Sequence, residues 1–62
     1  MNRPKLKEIL LEKIDRTNYF KSVKRSMLFD MLVELHTGND TLFSLLAIKL
    51  GLYSELEPWI KD

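Results

Sequence analysis

His36-Thr37-Gly38-Asn39-Asp40 stands between two long apolar-periodic runs. Gly38 supplies the left-handed position just past the end of one helix, and Asn39 or Asp40 supplies a side-chain oxygen to cap the next. Upstream, the run from about Tyr19 to His36 places Phe20, Val23, Met27, Met31 and Leu35 along one line. Leu28 and Leu32 widen that line, and Phe29 and Val33 form a second apolar flank. About eighteen residues at 1.5 Å rise predict a rod of roughly 27 Å, the spine of the fold. Downstream, Thr41 to Leu50 carries apolar side chains at 42, 43, 45, 46, 47, 48 and 50, on nearly every face. Such a helix is expected to be covered on most sides.

Working back to the N-terminus, Pro4 to Asp15 puts Leu6, Ile9, Leu10 and Ile14 at helical spacing among charged residues. Asn2 or Arg3 is the expected N-cap, because Pro4 suits a first turn where its missing N–H removes no bond. Glu12 precedes Arg16 by one helical turn, an order that adds a few tenths of a kcal/mol. Thr17-Asn18 offers two capping residues, and a break between the first two helices is expected there. Beyond the third run, Gly51 acts as a stop and Ser54-Glu55-Leu56-Glu57 matches a capping box for a short last turn. Pro58 falls within the zone where that turn tolerates a lost N–H, and Trp59 and Ile60 follow as anchors. No stretch shows the strict alternation of a strand. The fold class is therefore all-α, a small bundle of three helices plus a short C-terminal helical turn, in a single helical domain covering 1–62.

Composition narrows the chemistry. The 62 residues include no Cys, which removes disulfide scaffolds, cysteine-based zinc sites and thiol catalysis. The most apolar stretch, Leu42 to Tyr53, is interrupted by Ser44, Lys49 and Gly51 and is far short of the roughly 20 residues of a membrane span. The basic start Met1-Asn2-Arg3-Pro4-Lys5 leads into no apolar region with a cleavage site, so no secretory signal is expected and a cytoplasmic location is. Charge is segregated. Through Arg25 the chain carries eight basic and three acidic residues, a balance of +5, and the remainder carries two basic and six acidic, a balance of −4, in agreement with the formal +1.

Catalytic constellations are missing from this pattern. His36 is the single histidine, and its place at a helix end suits an imidazole beside the C-terminal dipole. Glu55 and Glu57, two residues apart, diverge on any helix. Neither glycine sits in a phosphate-cradling pattern. No enzyme activity, cofactor or metal site is expected. The basic residues Lys21, Lys24 and Arg25, at spacings of three and four, form a cluster suited to steering a macromolecular encounter, with Phe29 and Val33 as apolar contacts beside it.

One resemblance belongs beside this reading. Leu46-Ala47-Ile48-Lys49-Leu50-Gly51-Leu52 resembles the first helix and turn of the helix-turn-helix of phage-repressor-like regulators, and Leu56, Trp59 and Ile60 are similar to apolar positions of its recognition helix. It covers 42–61, about a third of the chain. From Gly51 onward the landmarks arrive one residue early, Pro58 interrupts the second helix, and Glu55 and Glu57 place negative charge where the motif meets phosphates. What the resemblance implies is a small DNA-binding transcriptional regulator, the alternative reading. The favoured expectation is a small non-enzymatic helical interaction protein. It would bind and regulate or inhibit a larger protein partner through Lys21, Lys24, Arg25, Phe29 and Val33, as a homodimer, with nucleic acid a less favoured partner and no membrane contact. Homodimerisation is expected because the second and third runs carry wider apolar faces than short helices cover among themselves.

Overall fold

The computed structural model describes residues 1–16 and 23–62, which form four helices and no strand among them. These are α1 (Arg3–Arg16), α2 (Val23–Thr37), α3 (Asp40–Lys49) and the short α4 (Tyr53–Ile60). The bundle is all-α, as the periodicity predicts. The expected break at Thr17-Asn18, and Tyr19, Phe20 and Lys21 beyond it, lie outside the described residues.

Four helix ends have a local cause: the start of α1, the end of α2 and both ends of α3. Asn2 caps α1: its Oδ1 accepts from the Lys5 N–H at 3.2 Å, and its carbonyl accepts from the Leu6 N–H at 3.1 Å. At the end of α2, Gly38 has φ +82°, its N–H donates to the Leu35 carbonyl at 3.3 Å, and the Asn39 N–H donates to Glu34 at 2.9 Å. This pair of bonds is the Schellman arrangement. Asn39, the first of the two candidate caps, then accepts from the Leu42 N–H at 3.2 Å and starts α3. Gly51 repeats the device with φ +73°, its own N–H bonded to Ile48 at 3.0 Å and the Leu52 N–H bonded to Ala47 at 2.8 Å.

The capping box expected at Ser54 is not formed. Helix α4 begins at Tyr53 with Leu52 as N-cap and no side-chain cap bond, and Ser54 is exposed inside the first turn. Burial of Leu52 explains the shift. As the apolar residue after the Gly51 turn, it is drawn onto the core, and the next helix starts directly from it. Pro58 lies inside α4 and withholds one N–H from its ladder, a loss confined to the last turn of an eight-residue helix.

One core unites the helices: Leu6, Leu10 and Ile14 from α1, Leu28, Met31 and Leu35 from α2, Phe43 and Ala47 from α3, then Leu52 and Leu56. On α2 the buried line runs through Leu28, with Met27 and Leu32 half-buried on either side. Of the predicted row, Met31 and Leu35 are core and Met27 is half-buried. A row of every fourth residue advances about 40° per step around a helix, whereas the steps of three and four through Leu28, Met31 and Leu35 stay on the core. Helix α1 packs on α2 and α4, and α3 also packs on α2 and α4, so the four form a closed ring. The ring is tied where the ends meet: the Asn2 N–H donates to the Trp59 carbonyl and the Met1 ammonium to the Asp62 carbonyl, both at 2.7 Å.

Folding also returns the segregated charges to one another. Arg3 of the basic half pairs with Asp40 at 2.6 Å, and Lys13 pairs with Glu55 at 2.6 Å. Within α1 the anticipated Glu12–Arg16 pair forms at 2.6 Å.

Candidate partner-binding surface

Arg25, Phe29 and Val33 fall at successive intervals of four on α2 and so share one row of its outer surface. Phe29 is 44% exposed and Val33 56% exposed, large values for apolar side chains beside a closed core. The Arg25 guanidinium carbon lies 5.2 Å from the centroid of the Phe29 ring, within range of a cation–π contact. Stacking holds the cation against the ring and leaves a composite surface, an aromatic face edged by positive charge.

Lys24 does not join this row. Adjacent helical residues point about 100° apart, and that rotation carries Lys24 to the other side of α2. There it lines a small cavity of about 180 Å³ with Lys13, Arg16, Leu28 and Leu52. Of the five residues predicted to meet a partner, Arg25, Phe29 and Val33 come together, Lys24 is separated from them, and Lys21 lies outside the described residues.

Two further surfaces lie outside the five predicted residues. The first is a groove of about 380 Å³ between α1 and α2, lined by Arg3, Pro4, Lys7, Leu32, Leu35 and His36. Arg3 is fixed in its wall: Nη1 donates to the Leu35 carbonyl at 3.0 Å and Nη2 to Asp40 Oδ1 at 2.6 Å. Leu11, one turn beyond Lys7, is 46% exposed. Its apolar character outside the Leu6, Leu10, Ile14 line was the available signal for this edge. The second surface is the outer side of α3. Phe43 and Ala47 are buried and Leu46 and Leu50 half-buried, but Leu42, Leu45 and Ile48 face out. Within one chain, then, α3 is not covered on most sides.

His36 is exposed at the last turn of α2, on the groove's rim. Among the described residues no group of three His, Cys, Asp or Glu side chains is placed to hold a metal ion, and no helix is long and apolar enough to cross a membrane. The segment 42–61 does form two helices about the Gly51 turn, and Ala47, Leu52 and Leu56 of the resemblance are core residues. The second of those helices presents Ser54, Glu55 and Pro58 to the outside, with Glu55 held by Lys13. No protein family, curated protein or solved structure matches this chain.

Proposed function

We propose that this chain is a non-enzymatic interaction protein that binds and regulates a larger protein partner in the cytoplasm, as a homodimer. The observation that carries the reading is the Arg25, Phe29, Val33 row, where two apolar side chains stay exposed beside a completed core and a stacked cation edges them. Aromatic and Arg side chains are enriched in the energetic centres of protein interfaces. The separate outer face of α3, with Leu42, Leu45 and Ile48, supports self-association on a surface distinct from the one given to the partner.

A photo-crosslinking residue at Val33 tests the proposal against one at Ser54, which is exposed on the other side of the bundle. The Val33 probe should yield a saturable protein adduct in a cell extract, and the Ser54 probe should not. Specific shifting of duplex DNA at physiological salt with no protein adduct would overturn the reading in favour of a DNA-binding regulator.

A further inference from the structure

We infer that the groove between α1 and α2 is the docking site for one amphipathic helix of a protein partner, apolar on its inserted face and bearing Asp or Glu on its flanks. The inference rests on the binding role proposed above and specifies the partner's chemistry. The groove has an apolar floor, Leu32 and Leu35. Its α1 wall carries Pro4 and Lys7. The exposed Leu11 lies four residues beyond Lys7 on the same row of α1, and the exposed Phe29 and Val33 lie on α2 beyond the lining. The groove itself takes Leu32, Leu35 and His36 from α2. Together with the exposed row back to Arg25 it offers an edge of ten residues, about 15 Å, which matches about three turns of an incoming helix. A channel between two packed helices presents the ridges that a third helix interlocks with.

Charge selects among possible occupants. No acidic side chain lines the groove, whereas Arg3, Lys7 and His36 do, and Arg25 stands on Phe29 toward the other end. Arg3 already holds Asp40, so Lys7 is the cation best placed to meet an incoming carboxylate at its end. The channel between α1 and α4 differs in this respect. Lys5, Lys13 and Arg16 share it with Glu12 and Glu55; Lys13 and Arg16 are bonded to those carboxylates and Lys5 lies 3.8 Å from Glu8, so each cation there already has an acidic neighbour. Of the exposed apolar side chains of α3, Leu45 lines a shallow pocket of about 460 Å³ with Met1, Ser44 and Ile60, where the one charged side chain is the acidic Asp40, so that pocket does not call for an acidic occupant.

The test selects helical peptides from a displayed random library on the immobilised 62-residue chain. Binding is then measured on the wild type and on Lys7→Glu, Leu11→Ser and Phe29→Ser, with far-UV circular dichroism confirming the fold of each. Enriched peptides should carry large apolar residues at i, i+3 or i+4 and i+7 with Asp or Glu beside them, and each variant should weaken binding at least about tenfold. Selection repeated on Lys7→Glu, an exposed site where folding is not at stake, should turn the flanking preference from acidic to basic. Enriched peptides without acidic flanks, or equal binding to all variants, overturn the groove assignment. Peptides lost only with Leu45→Asp also overturn it, by placing the partner on α3, and leave the binding role standing. Failure to select any peptide, with binding instead to phosphatidylglycerol vesicles, overturns both.

Discussion

Two glycines terminate helices here with the same geometry, and they separate backbone strain from packing. A Cβ built at Gly38 or Gly51 meets nothing within 4 Å, so a substitution there acts through φ alone. Gly51→Ala should lower stability by about 1–2 kcal/mol, the cost of holding an L-residue in the left-handed region. The D-alanine variant has no such strain and restricts the unfolded chain, so it should raise stability by about 0.5–1 kcal/mol. Urea denaturation of the two synthetic variants checks the opposite signs. Phe43 is the opposite kind of residue, wholly buried and the largest such side chain among the described residues. Phe43→Ala should cost about 3–5 kcal/mol, comparable with the whole stability of a domain this small, and abolish the cooperative melt. Trp59 is only partly buried, packed against the core with the Lys5 ammonium 5.6 Å from its ring centroid. Trp59→Ala should therefore cost less than Phe43→Ala, about 2 kcal/mol, with tryptophan emission in the wild type only moderately blue-shifted.

Among the elements, helix ends were the most legible part of the sequence. The caps at Asn2, Gly38 and Asn39, and the stop at Gly51, follow from side chains acting on backbone within a few residues, so they can be read without tertiary knowledge. The capping box at Ser54 failed for the complementary reason. A local hydrogen-bond pattern competed with the burial of Leu52, and burial won. The groove between α1 and α2 was illegible because it depends on how two helices are rotated against each other. Spacings of three and four from Lys21 group Lys24 with Arg25 on one face, yet these two are about 100° apart on α2, and the packing of the other helices gives them different surroundings. The junction of α1 with the α2–α3 turn yields its own prediction. Arg3 uses both arms of its fork, on the Leu35 carbonyl and on Asp40, with about half of each charged side chain exposed. Arg3→Ala should cost only about 0.5–1 kcal/mol, and Arg3→Lys should rescue little of it, because an ammonium lacks the two-armed geometry. Thermal melts of the pair decide this.

The whole molecule has a Cα radius of gyration of 10.7 Å, against about 10.6 Å for a compact domain of this length. Its exposed apolar residues therefore lie on a finished core and do not reflect a packing shortfall. This separates folding from association. Leu45→Asp should leave the melting temperature within a few degrees and convert the proposed dimer to a monomer, as read by light scattering after size exclusion. Partner binding should divide kinetically along the α2 row. Arg25→Glu should slow association and reduce its dependence on salt, whereas Phe29→Ala should accelerate dissociation, and surface plasmon resonance distinguishes the two.

Because each helix packs only on its chain neighbours and α4 closes onto α1, the four elements have a cyclic order in space. The covalent chain is one linear opening of that cycle. Joining Asp62 to Met1 with a short Gly-Ser linker and opening the backbone between Gly38 and Asn39 would give the permuted order α3, α4, α1, α2, with every helix–helix interface retained and one turn motif lost. Such a circular permutant would carry its new termini beside Arg3 and the groove, and so bring a fused label directly to the proposed binding edge.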